Sequence, residues 1–213
     1  MIIYHCQQRS SAWFDARCGR VTGTRFKDLM VYEHDYKKAI KSAGYQGLIA
    51  EIAAELITSQ TETSYSNDIM QRGIDLEPEV RRLYEDMFDV VVDEVGFCTP
   101  NEDSPFFDWV GVSPDGLTDG LLEIKCPLAK THFNYIEGNV LPSEYKWQVQ
   151  GQLYVTELPY CDFMSYYPGM KPFIIRVLPD SGVFEQITER LHLLIPEIKN
   201  KIEIYNNYDN REN

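Results

Sequence analysis

Positive charge is what this sequence has least of. Against 33 acidic residues it carries only 20 Lys and Arg, a formal net charge of −13 over 213 residues. That argues against a simple nucleic-acid coat, because phosphate binding draws on basic surface. Nowhere do ~20 consecutive apolar residues occur, so no membrane-spanning helix is expected. The five cysteines (Cys6, Cys18, Cys98, Cys126, Cys161) are odd in number, scattered and without a C-x-x-C pair, which leaves no disulfide framework, zinc site or iron–sulfur site to propose. A Walker A pattern, a G-x-G-x-x-G after a strand and an EF-hand loop in the acidic stretch 101–120 are also missing, so nucleotide-driven, dinucleotide and EF-hand calcium chemistry have no support. The histidines (His5, His34, His132, His192) are dispersed without ligand-like neighbours and read as surface or core fillers. Residues Met1 to Arg9 contain no basic stretch followed by an apolar run, so no leader is expected, and a reducing cytosol is the plain compartment.

What is present is the composition of an ordinary globular chain: 44% hydrophobic, 25% charged and 13% aromatic. Its length suits one domain with a proper core. The acidity is regional. Residues 1–50 hold eight basic and four acidic residues, whereas residues 51–120 hold three basic and 17 acidic ones. An acidic exterior limits loose sticking and directs DNA toward a basic passage if the fold separates the two. The expectation is therefore a basic groove leading to the reactive centre.

Helical periodicity marks Tyr45, Leu48, Ile49, Ile52, Ala53 and Leu56, and again Phe184, Ile187, Leu191, Leu194, Ile198, Ile202 and Tyr205, where Pro196 should kink or break the helix. Between Glu144 and Thr156, Tyr145, Val149 and Leu153 repeat every four residues after a Pro142-Ser143 start. Strand-like runs are Val90–Phe97, Phe106–Val112, Leu121–Cys126, Tyr160–Tyr166 and Phe173–Leu178. This order predicts an α/β or α+β chain with a central mixed sheet of about five strands flanked by helices. Residues 1–60 form a mostly helical basic part, 61–178 the core, 179–205 a closing helix and 206–213 a frayed tail.

The chemistry concentrates in Gly111-Val112-Ser113-Pro114-Asp115-Gly116-Leu117 and Leu121-Leu122-Glu123-Ile124-Lys125-Cys126-Pro127. Asp115 sits in a Pro-Asp-Gly turn after a hydrophobic run. Glu123 and Lys125 share one face of the next strand, with Ile124 on the other. A hairpin-like return brings Asp115 beside Glu123, so that two carboxylates and an ammonium converge on one point among apolar flanks, where charges need a reason. Such a site suits a hard cation, Mg²⁺ with Mn²⁺ as a substitute, and phosphodiester hydrolysis is the chemistry one or two such ions support.

Asp115 with Glu123-Ile124-Lys125 resembles the PD-(D/E)xK nuclease motif. Ser113-Pro114-Asp115-Gly116 and Leu122-Glu123-Ile124-Lys125-Cys126-Pro127 are similar to its lambda-exonuclease branch, the YqaJ-type viral recombinases. Three further blocks extend the resemblance from about Gln8 to Thr156. In Arg72 to Arg81, Glu77 precedes Pro78, where a helix starts or kinks; the resemblance implies a third acidic residue helping to hold a second metal. In Tyr145 to Gln152, Gln148 falls within an inward apolar stripe, and the resemblance places it near the attacking water; Gln150 matches too, but its helical angle turns it away. In Gln8 to Arg25, arginines interleave with hydroxyls and an aromatic, a phosphate-binding composition, and the resemblance implies that Arg17 and Thr24 hold a 5′ phosphate.

The resemblance thus implies a restriction-endonuclease-like core and a Mg²⁺-dependent 5′→3′ exonuclease acting on double-stranded DNA ends. Asp115, Glu123, the Ile124 carbonyl and Glu77 would hold metal, while Lys125 and Gln148 position water. It further implies a ring-shaped homotrimer working beside a single-strand annealing protein in phage-type recombination. An endonuclease on the same core and a catalytically silent DNA-binding or scaffold protein are the alternatives.

Overall fold

The structure is a computed structural model that describes residues 1–31, 42–61 and 68–208; His34 and the last five residues of the expected frayed tail lie outside them. The chain runs β1 (Ile2–Tyr4), α1 (Ser11–Arg17), a 3₁₀ turn (Gly23–Arg25), α2 (Phe26–Met30), α3 (Ala43–Thr58), α4 (Asp68–Phe88), β2 (Phe97–Thr99), β3 (Gly116–Leu117), β4 (Leu121–Lys125), α5 (Ala129–Gly138), a second 3₁₀ turn (Ser143–Tyr145), α6 (Lys146–Thr156), β5 (Cys161–Ser165), β6 (Phe173–Val177) and α7 (Ser181–Asn206).

The central sheet is mixed and has the order β3-β4-β5-β6. β4 and β5 are parallel, with Glu123 opposite Phe163, and the other two pairings are antiparallel. A parallel pair needs a long crossover, which α5 and α6 supply. β1 and β2 form a separate antiparallel pair. The sheet therefore has four strands rather than about five. Val90–Phe97 and Phe106–Val112 are not strands: they join the sheets through single bridges, Asp93 to Leu117, Cys98 to Val112 and Val21 to Val110. Around Pro105 the backbone folds into successive turns, Phe107 N–H to Ser104 C=O and Trp109 N–H to Phe106 C=O, so turn chemistry overrides the strand preference of the aromatic run.

α3 and α7 carry the expected apolar stripes. Tyr45, Ile52, Ile187, Leu191, Leu194 and Ile198 are buried, whereas Leu56, the last member of the first stripe, is exposed. Pro196 does not break α7, which continues through it to Asn206. An interior proline costs about 3 kcal/mol, and burial of the flanking Leu191, Leu194 and Ile198, each contributing about 1.5–3 kcal/mol, outweighs it. Pro78 likewise lies inside α4 rather than at its start. Behind the site, α6 approaches α2 closely: a Cβ on Gly151 would lie 2.5 Å from the Phe26 ring, so glycine is what lets the two helices meet.

Candidate active site

The β3–β4 turn builds the centre. Pairing between these strands stops at Gly116–Leu122, which leaves the neighbouring edge of β4 open from Glu123 onward. The Asp115 carboxylate fills part of that edge, its Oδ2 accepting the Ile124 N–H at 2.6 Å. A strand residue sends its N–H and C=O to the same side, so the Ile124 carbonyl emerges beside Asp115. Alternation does the rest: Glu123 and Lys125 share a face, and the Lys125 ammonium donates to Glu123 Oε1. Glu123 is only 1% exposed, and burial of a carboxylate demands such partners.

α6 supplies the remaining partners one turn apart. Gln148 Nε2 donates to Glu123 Oε1, and Gln152 Nε2 donates to Oε2 at 2.6 Å. Gln150 points elsewhere, bonding the Leu178 carbonyl and the Asp180 N–H. Gln152 was not singled out in the sequence, although its i, i+4 spacing from Gln148 was the available signal.

Glu77 stands on α4 and faces the same cavity. Arg81 Nη2 donates to its Oε1 at 3.1 Å, and Arg9 Nη2 lies 3.6 Å from its Oε2. Arg81 also ties α4 to the Asp115 turn, its Nε donating to the Asp115 carbonyl at 3.0 Å, and it pairs with Glu94. Nothing in the acidic helix pattern marked Arg81 or Arg9 beforehand. Arg9 has φ +69°, an unusual conformation for a non-glycine residue, which turns the chain into α1.

The electrostatics are those of crowded acids. Burial, then the charge of Glu123, raises the Asp115 carboxyl well above its ordinary value, and the Lys125 ammonium only partly offsets this. Burial raises Glu77 as well, against the opposing pull of Arg81 and Arg9. Burial would lower Lys125, but Glu123 and Asp115 outweigh it and its pKa is raised, so it remains protonated at neutral pH. Excess negative charge is concentrated where two carboxylates and a backbone carbonyl converge, an all-oxygen donor set suited to a hard divalent cation. Among the described residues no three His, Cys, Asp or Glu side chains gather at one point, so a cation there would complete its shell with the carbonyl and water.

α1 and the first 3₁₀ turn form the opposite wall. Ser10 caps α1 by accepting the Trp13 N–H at 3.3 Å, which sets Trp13 and Arg17 one turn apart on the same side. The Arg17 guanidinium stacks 4.1 Å from the Trp13 ring centre and donates to Ser113 Oγ and Thr22 Oγ1 at 3.4 and 3.1 Å. Burial and the nearby Arg25 lower its pKa to about 10, with Glu55 acting in the opposite direction. Thr24 lies in the 3₁₀ turn and lines the same cavity.

This cavity, about 980 Å³, joins the two walls and contains Asp115, Ile124 and Lys125 at one side with Arg17 and Thr24 at the other. It is not the basic groove leading to Asp115 and Glu123 that the charge distribution suggested, and that expectation fails. Arg9, Arg17, Arg25 and Lys125 share it with Asp28, Glu51, Glu55, Glu77 and Asp115. Arg25 is committed to Glu51 and Glu55, and buried Glu55 also accepts the Gly19 N–H at 2.8 Å, so this pair is a structural anchor of the wall. The hydrogen bonds of Arg17, by contrast, go to neutral hydroxyls.

A helix-flanked mixed sheet with an acidic pair and a lysine on adjoining strand ends defines a nuclease-type α/β domain. A family model for the YqaJ-like viral recombinase domain matches residues 12–159, which includes every residue of this centre, and the chain belongs to that family. Two solved structures of the alkaline exonuclease LHK-Exo from Laribacter hongkongensis are similar to it. One, in complex with dAMP, is 33% identical, covers 92% of this chain and 96% of that one, and has a TM-score of 0.79. The other is 32% identical with the same coverage and TM-score. A phage-related exonuclease from Haemophilus somnus shares the fold at 11% identity, with a TM-score of 0.65 over 87% of this chain and 96% of that one. An uncharacterized protein, R354, of Acanthamoeba polyphaga mimivirus is 39% identical over 72 residues, and the match spans 27% of this chain and 13% of that protein's length. No described helix is long and apolar enough to cross a membrane.

Proposed function

We propose that this protein is a divalent-metal-dependent exonuclease that degrades one strand of double-stranded DNA in the 5′→3′ direction, in recombination of the phage type. The observation that carries this reading is that one cavity contains Asp115 and Lys125, the latter bonded to Glu123, together with Arg17, whose hydrogen bonds among the described residues go to hydroxyls. Membership of the YqaJ-like family, together with similarity to an alkaline exonuclease over nearly the whole chain, supports the exonuclease class.

Asp115, Glu123 and the Ile124 carbonyl would hold Mg²⁺ or Mn²⁺, one ion or two, with Glu77 contributing from α4. The cation supplies charge neutralisation at the phosphate oxygens and activation of water. The chain's own residues do the rest. Lys125 and Gln148, both anchored on Glu123 Oε1, aim donors at the position of the attacking water. Its hydroxyl adds to the phosphorus between the terminal and second nucleotides while the 3′ oxygen of the terminal nucleotide leaves, so that the phosphate stays on the shortened strand and a nucleoside 5′-monophosphate is released, the class of molecule to which the dAMP bound to LHK-Exo belongs. Each cut exposes a new 5′ phosphate, which Arg17 and Thr24 are placed to grip by a guanidinium fork and a hydroxyl. Assembly as a homotrimeric ring around the duplex and cooperation with a single-strand annealing protein belong to the same proposal.

The test supplies linear duplex with 5′-phosphorylated or 5′-hydroxyl ends, beside covalently closed circles, with Mg²⁺ or EDTA. The phosphorylated linear duplex is degraded fastest, EDTA stops the reaction, and Glu123→Ala or Lys125→Ala abolishes it while the protein stays folded. Circles cut as fast as linear DNA, or activity that survives EDTA, would overturn the proposal.

A further inference from the structure

Gln152 is the completely buried partner of Glu123, whereas Lys125 and Gln148 are half-buried. Its Nε2 donates to Glu123 Oε2 at 2.6 Å, and its Oε1 finds no donor among the described residues. A buried amide carbonyl without a partner costs free energy, and an apolar residue on this inward face of α6, beside the buried Val149, Leu153 and Val155, would pack without that cost. What the amide provides in exchange is one directed N–H. The two oxygens of Glu123 are therefore served unequally: Lys125, which lines the cavity, shares Oε1 with Gln148, while Oε2 is held by the completely buried Gln152.

We infer that Gln152 is a positioning residue that pins Glu123 Oε2 from within the core, so that only Oε1 is offered to the divalent cation and the reacting phosphate. With Oε2 held, the carboxylate plane cannot rotate, and Lys125 and Gln148 can leave Oε1 without Glu123 losing its orientation. The single hydrogen bond replaces rotational freedom that a long carboxylate side chain otherwise retains, which is how preorganised sites keep their ligands within the narrow geometric limits that reaction requires. This inference rests on the nuclease reading of the site.

The experiment compares wild type, Gln152→Met and Glu123→Ala on 5′-phosphorylated linear duplex. It measures kcat and KM and, separately and without DNA, the rise in melting temperature as Mg²⁺ or Ca²⁺ is added to EDTA-treated protein. Methionine matches the volume of glutamine and removes its donor. For Gln152→Met, kcat falls at least tenfold and KM for DNA stays within about twofold. The cation concentration giving half the thermal shift rises severalfold. If methionine prevents folding, Gln152→Ser takes its place under the same measurements and the same expectations. Wild-type kcat together with a wild-type cation titration overturns the inference, as does a loss of activity that merely follows the loss of folded protein. Failure of the nuclease reading looks different: wild type then degrades no DNA, or Glu123→Ala degrades it normally.

Discussion

Arg81 offers the most demanding check on how the site is held together. Its guanidinium has a side chain only 9% exposed, and each of its nitrogens has work: Nη2 on Glu77 at 3.1 Å, Nε on the Asp115 carbonyl at 3.0 Å, and Nη1 on Glu94 at 2.7 Å. The Glu94 contact adds little, since that carboxylate is 73% exposed and surface pairs contribute about 0–1 kcal/mol. The other two are charge-assisted and partly buried, where each hydrogen bond contributes about 1.5–3 kcal/mol. Arg81→Met keeps the packing stem and strands the Glu77 carboxylate with Arg9 as its remaining counter-charge. Breaking a buried pair from one side costs about 3–5 kcal/mol. At about 2–4 °C per kcal/mol for a chain of this size, the melting temperature falls by roughly 10 °C. Urea unfolding monitored by circular dichroism gives the free energy, and exonuclease assays well below the melting point give the rate. The rate falls more than the folded fraction does, because the Asp115 turn loses its tie to α4. A stability change under 1 kcal/mol, or full activity in a destabilised protein, refutes this account of Arg81.

Three further perturbations probe different physical terms. Gly151→Ala places a Cβ 2.5 Å from the Phe26 ring and destabilises by about 1–3 kcal/mol through overpacking, so an unchanged urea midpoint contradicts the close approach of α6 and α2. Asp115, raised well above its ordinary pKa by burial and Glu123, binds its proton more tightly folded than unfolded. Native stability therefore carries a penalty above that raised value and regains it as pH falls through it toward the ordinary carboxylate range. In EDTA, Asp115→Asn melts above wild type at about pH 8, and the gap closes on acidification; a gap that does not change with pH rules this out. Arg17→Ala removes one charge-assisted fork, worth about 1.5–3 kcal/mol, so the preference for 5′-phosphorylated over 5′-hydroxyl ends shrinks roughly tenfold or more, and an unaltered preference excludes Arg17 from phosphate reading.

How far the sequence revealed this molecule depended on how local each feature was. The Glu123–Lys125 face needs only strand alternation across three residues, and Asp115 needs only one tight turn, so both were legible and the structure places them as read. The turn of Gln148 toward the centre and of Gln150 away from it followed equally from helical angle. Gln152 escaped because the sequence could not tell a satisfied core amide from one reaching a carboxylate on another element. Arg81 and Arg9 escaped for the same reason: their meaning lies in contacts made 34 and 68 residues away, to Asp115 and Glu77. Two of the five expected strands failed because β-rich composition was counted without the backbone's partners. Val91 is 78% exposed, and the Val95 and Gly96 carbonyls accept bonds from Gln8 and Trp13 side chains instead of a ladder. Pro196 and Pro78 misled in the opposite direction, since tertiary burial retains helices that local chemistry would end.

The net charge of −13 is best understood one pair at a time. Among the described residues the arginines of the N-terminal segment do not make a basic wall: Arg25 is neutralised by Glu51 and Glu55, Arg20 lies 3.7 Å from Asp108, and Arg9 faces Glu77. What survives is Arg17, desolvated enough for its pKa to fall to about 10 and braced on Trp13. A desolvated cation with only hydroxyl partners interacts more strongly with an incoming dianion than a solvated one, since less water must be displaced and the local dielectric is lower. On the proposed reading, such a centre would favour a terminal phosphate, a dianion, over the many internal ones along a duplex, each a monoanion flanked by two esters. A uniformly basic groove would hold any duplex anywhere along its length. On that reading, an acidic chain with one desolvated cation in its cavity would bind DNA weakly overall and selectively at its end, which is the electrostatic requirement of an exonuclease rather than of a coat protein.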